Sequence, residues 1–169
     1  PGMRNQLLAY TGAGGTFGAN DLVSILGGAN NIFQAVPAAS ISPNPTGSIQ
    51  PVALAAAADI NFIVNSVAAA GAGTILVSNL PSLALTPQFN QGPGAPAAPL
   101  ADYAGTQFNG ALLNNLMVTA AARPGTNIIL MDLYKIGPAL SADPGRFGLT
   151  NARDACFNGV TVCANPDSY

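Results

Sequence analysis

Apolar residues in this chain fall into short β-branched runs separated by long alanine-rich stretches, with glycine and proline at the joints. Three runs read as buried strands: Asp-Leu-Val-Ser-Ile-Leu-Gly at 21–27, Thr-Ile-Leu-Val-Ser at 74–78 and Asn-Ile-Ile-Leu-Met-Asp-Leu at 127–133. Between the first two, Pro51 suits an early helical position, and residues 52–70 predict a long helix closed by Gly71-Ala72-Gly73. Val52, Ile60, Ile63, Val64 and Val67 share one side of it. Residues 101–122 predict a second long helix, with Phe108, Leu112, Leu113 and Leu116 as its apolar stripe. Residues 4–10 read as the end of a helix and 32–36 as a brief helical turn. Residues 37–48 and 91–99, rich in proline and glycine, read as loops, and the chain beyond Pro138 as irregular.

Strands alternating with helices of this length define an α/β chain of one domain, residues 1–169. Its parallel sheet is expected to be covered on both faces. Ligands in such sheets sit beyond the carboxyl ends of the strands. Those ends are residues 27–31, 79–85 and 132–136.

Composition narrows the partners. Of 169 residues 49% are hydrophobic and only 7% charged; all seven acids are Asp, and there is no His or Trp. The five bases, Arg4, Arg123, Lys135, Arg146 and Arg153, are scattered, so no basic patch exists for a nucleic-acid backbone. The most apolar stretch, 52–72, is interrupted by Asp59, Asn61, Asn65 and Ser66 and reads as a globular helix rather than a membrane span. No basic-then-apolar leader opens the chain. Gly12, Gly14 and Gly15 do not follow a strand into a helix, which argues against nucleotide binding. Cys156 and Cys163 lack the partners of a metal set. A turn signal at Asn158-Gly159 lies between them and favours a disulfide, and with it an exported protein, over two buried free thiols. Asp132 and Asp143 read as a strand-end acceptor and a turn former.

Four stretches, in order, carry a resemblance. They are Asp21 to Phe33, containing Gly-Gly-Ala-Asn-Asn; Ile75 to Pro87, containing Asn-Leu-Pro-Ser-Leu; Phe108-Asn109 with the 128–134 run; and 143–167, containing Asp-Pro-Gly-Arg-Phe-Gly-Leu-Thr-Asn. Together they resemble the middle portion of a GDSL/SGNH-type esterase or lipase, in particular the bacterial secreted or autotransporter-borne group.

The resemblance implies a flavodoxin-like three-layer α/β/α fold with its first strands missing, and a location in the periplasm, at the outer-membrane surface or outside the cell. It implies a serine ester hydrolase that works through an acyl-enzyme on ester or lipid substrates, without metal or organic cofactor. Asn30 matches the family's oxyanion-hole asparagine, although an Asn here could also simply cap the following helix. Gly28, Ala29, Asn31, Asn79, Pro81 and Leu83 are the substrate-pocket candidates. Asn31 stands where the family usually has Asp. The nucleophile's Gly-Asp-Ser-Leu-like block, the second-block glycine donor and the Asp-x-x-His block have no counterpart, and neither does a Gly-x-Ser-x-Gly elbow. The expectation is therefore a hydrolase fragment, inactive alone and prone to self-association through an exposed strand edge. The alternative is a non-catalytic extracellular structural or adhesive module on an outer-membrane carrier.

Overall fold

A computed structural model describes residues 2–169. The chain is mixed α/β, built on a three-stranded parallel sheet in the order β1 (Leu22–Ile25), β2 (Thr74–Ser78), β3 (Asn127–Met131). Each strand lies within the run that predicted it. The helices are α1 (Met3–Gly12), α2 (Ala29–Ser40), α3 (Pro45–Ala69), the single turn α4 (Pro87–Asn90), α5 (Ala98–Ala122) and α6 (Leu133–Ala142).

Proline proves a weaker breaker here than the sequence suggests. The turn expected at 32–36 is the twelve-residue α2, which runs through Pro37, and the 37–48 loop shrinks to residues 41–44. Ile32, Val36 and Ala39 lie on both sides of Pro37 and are all buried, which outweighs the one hydrogen bond the proline forfeits. The long helix starts at Pro45, six residues before Pro51, because Asn44 caps it: its Oδ1 accepts from the Gly47 N–H at 3.0 Å. Beyond Pro138, where irregular chain was expected, α6, which starts from an Asp132 cap, continues to Ala142. The 91–99 loop contains a 3-10 stretch, Gly92–Ala97, and α5 already begins at Ala98.

Helices α3 and α5 form the main helical contact and supply most of the core, including Ile60, Val64, Phe108 and Leu112. Two expected core residues are not in it: Val52 is only half-buried, and Leu113 is 45% exposed. Thr119, 3% exposed, ties the two helices by donating to Asn61 Oδ1 and accepting from the Asn65 amide, both at 3.0 Å. By length and composition alone α3 could cross a membrane. Its nine buried residues and these polar ties account for the same composition within a folded domain.

The sheet is not covered on both faces. Pairing aligns Val23, Ile75 and Ile128, and then Ile25, Val77 and Leu130, and all six pack into the core. The opposite face carries Leu22, Leu76, Ile129 and Met131, with Leu26 just beyond β1; Leu76 is half-buried and the other four are exposed. Crossovers that step from strand to neighbouring strand in one direction, all right-handed, lay their helices on one face. Here α3 and α5 are those helices. β1 and β3 are edge strands, and among the described residues only β2 is paired on both sides. The open edge along β1 is the one implied by the missing first strands, whereas the uncovered face departs from the buried strands read from the apolar runs.

Cys156 and Cys163 form a disulfide, as the Asn158-Gly159 turn suggested. It closes a small hairpin near the end of the chain, with Phe157 bridged to Val162.

Candidate functional site

β1 leads into α2 through Gly27-Gly28. Gly28 takes φ 104°, and a Cβ there would run into the ring of fully buried Phe108, so this turn requires glycine. Gly28 is itself the N-cap position of α2, and no side chain caps the helix. Asn30 is thus a first-turn residue, not the cap. Asn30 and Asn31 are both exposed, and neither side chain has a hydrogen-bond partner among the described residues. The Asn30 amide is free to donate to a ligand.

The loop after β2 is fixed by amides. Asn109 clamps Leu80 from both directions: its Oδ1 accepts from the Leu80 N–H, and its Nδ2 donates to the Leu80 carbonyl, each at 2.8 Å. Asn79, 7% exposed, donates from Nδ2 to Asp132 Oδ1 at 2.8 Å and accepts from the Tyr134 N–H at 3.1 Å. Asp132 meanwhile caps α6, and the Asn79 hydrogen bond, foremost, holds its carboxyl below the usual carboxylate range. Asp143 accepts from the Arg146 N–H in the next turn. Both aspartates have the structural roles that the sequence suggests.

Five candidates line one cleft. Gly28, Ala29 and Asn30 form one wall and Pro81 and Leu83 the other, around about 310 Å³ at the carboxyl ends of β1 and β2. Phe33, Leu80 and Leu133 make the lining largely apolar. Asn31 lies elsewhere: with Asn30 it faces a hollow of about 450 Å³ on the other side of the turn, beside Arg4 and Asp59. Those two residues form an ion pair at 2.6 Å. Asn79 opens on a third hollow of about 300 Å³, and both ends of its amide are already engaged. It positions the strand ends rather than a ligand.

One polar cluster escaped the sequence reading. Ser82 Oγ donates to Asp102 Oδ1 at 2.5 Å, and the Tyr134 hydroxyl donates to Asp102 Oδ2 at 3.4 Å. The negative charge of Asp102 pushes the Tyr134 phenol up. The three residues come from a loop, α5 and α6, so no sequence spacing announces them.

Comparison with known protein families finds no family model that matches the chain, and comparison with curated proteins finds no match.

Proposed function

We propose that this chain is the middle portion of an SGNH-type carboxylic ester hydrolase, in which it supplies the oxyanion donor and the acyl-binding wall. One observation supports this most: the Gly27-Gly28 turn, the first turn of α2 and the Pro81–Leu83 segment meet around one apolar cleft, with the unengaged Asn30 amide on its rim. Attack on an ester carbonyl turns the C=O electron pair into charge on one oxygen. A fixed neutral N–H donor meets that charge without reorganising. The apolar cleft beside it suits an acyl chain. The attacking serine and the histidine that takes its proton must come from other polypeptide, because the chain has no His and no Gly-Asp-Ser sequence. The disulfide fits an exported enzyme.

The reading is tested by placing these residues between the nucleophile-bearing and histidine-bearing portions of an SGNH esterase. The chimera is expected to hydrolyse p-nitrophenyl butyrate, and Asn30→Ala to lower its kcat by ~10²–10³ with little change in KM. A folded, active chimera indifferent to Asn30→Ala would remove the oxyanion assignment. The alternative, a non-catalytic extracellular module, draws on the charge-poor, Ala- and Gly-rich composition and on the missing catalytic groups. It predicts that the coding sequence on either side holds neither a Gly-Asp-Ser nor an Asp-x-x-His block.

A further inference from the structure

The hairpin around the disulfide is built firmly yet buries nothing apolar. The disulfide joins its legs at Cys156 and Cys163, and the Cys163 N–H donates to the Cys156 carbonyl at 2.6 Å. At the tip, Asn158 Oδ1 accepts from the N–H groups of Val160 and Thr161, at 3.0 and 2.8 Å. Gly159 supplies the positive φ the turn needs. On this braced frame Phe157 is 58% exposed, Val160 86% and Val162 60%. Phe157 and Val162 are cross-strand partners and so share a face. Turn tips are ordinarily polar, and single exposed apolar residues call for no explanation. Three on one rigid projection do.

We infer that this hairpin is an anchor that inserts Phe157, Val160 and Val162 into an electrically neutral lipid surface. Charge selects the kind of surface. No charged residue lies between Asp154 and Asp167, and exposed Arg153 at the base is offset by its neighbour Asp154. The chain carries a net charge of -2, so the hairpin has no net positive charge to attract anionic headgroups. Size argues against a protein partner, since three side chains on a convex tip fall well short of the ~800 Å² a side that a specific interface buries. The choice of lipid also rests on the ester-hydrolase reading above. The chain leading into the hairpin lies near the candidate cleft: Asn90 Nδ2 donates to the Arg153 carbonyl at 2.7 Å, and Ala152 lines a hollow of about 210 Å³ together with Pro81 and Thr86, which also line the cleft. An anchor there holds the cleft close to the lipid.

The test is flotation of the 169-residue chain on a density gradient with phosphatidylcholine vesicles. A parallel set contains phosphatidylglycerol. The chain is expected to float with phosphatidylcholine at low and at high salt. Val160→Asp should weaken binding about tenfold or more. Leu22→Asp, which alters the exposed apolar face of the sheet, should leave it unchanged. No flotation, flotation indifferent to Val160→Asp, or loss caused by Leu22→Asp instead would each overturn the anchor. So would binding to phosphatidylglycerol alone, or a Val160→Asp effect confined to the mass seen by light scattering, which would mark a protein contact. Circular dichroism of each variant checks the fold. Because flotation reads no catalysis, an inactive chimera with Val160-dependent flotation would sink the hydrolase reading and leave the anchor standing.

Discussion

Asn79 illustrates how a residue chosen as a ligand contact can be a tie instead. Its side chain joins the end of β2 to the Asp132 cap of α6, and this hydrogen bond is the foremost reason the Asp132 carboxyl lies below its ordinary range. A carboxyl depressed in the folded state stabilises the fold above its unfolded pKa, and the contribution is lost as pH falls through the folded value. The nearby Lys135 ammonium, 3.3 Å from Asp132 and largely exposed, adds little. Asn79→Ala is therefore expected to cost about 1–2 kcal/mol in urea unfolding and to move the Asp132 carboxyl titration, followed by NMR, up towards its ordinary range. An unmoved titration would mean that Lys135 dominates after all. Gly28 gives a second test. Gly28→Ala meets both an unfavourable φ and the Phe108 ring, whereas Gly14→Ala meets only an unfavourable φ of 84°, with open space around it. The second should cost ~1 kcal/mol and the first clearly more, read from denaturant midpoints. Equal losses would show that the Phe108 ring can yield. Gly28, Ala29, Asn30, Pro81 and Leu83 were legible as a group because they flank strand ends, which the apolar runs locate. Asp102 was not, since its partners Ser82 and Tyr134 are joined to it only by the packing of α5 and α6.

Among the elements, strands were easier to read than helix ends. The β-branched runs are short and bounded by Gly or Asn, which leaves little freedom of placement, and β2 coincides with its run of Thr74 to Ser78. Proline misled because a propensity says nothing of the burial that opposes it, as Ile32, Val36 and Ala39 around Pro37 demonstrate. The uncovered face of the sheet was equally hidden, for a continuous apolar run looks the same whether one face or both are covered. The Cys156–Cys163 hairpin was legible from its turn residues. It contributes no residue to the core, so opening it should act locally. Intact-mass analysis without reductant should show the chain lighter by two thiol hydrogens. Reduction should leave the urea midpoint within about 0.5 kcal/mol of stability while exposing the 156–163 segment to proteolysis. A large global loss on reduction would mean that the hairpin braces the core, which would also weaken its reading as a free-standing anchor.

At the scale of the whole molecule, charge-poor composition and a half-covered sheet have consequences for chemistry and for solubility. With no histidine to serve as base, the chain alone is expected to hydrolyse p-nitrophenyl esters no faster than a denatured control. Saturable turnover abolished by a serine-directed phosphonate would show that it completes a site of its own. Solubility depends on β1. Its residues pair with β2 on one side only, and Leu22 and Leu26 on the open face are 63% and 58% exposed. Natural edges are usually blunted by a charge, a proline or a bulge, and the Leu-Val-Ser-Ile-Leu run carries none of these. Across the same face Ile129 and Met131 extend the apolar surface to the far strand. An unpaired strand edge and an uncovered face both favour association, because a second chain can satisfy the backbone donors and remove the apolar surface in one contact. Size-exclusion chromatography with light scattering is expected to show the isolated chain as oligomer or aggregate. Ser24→Lys, which places a charge in the middle of the open face without touching the core, should shift it towards monomer. A wild-type chain that runs as a monomer and melts in one sharp transition would mean that β1 tolerates water along its whole outer edge, and the open face would then need no covering partner.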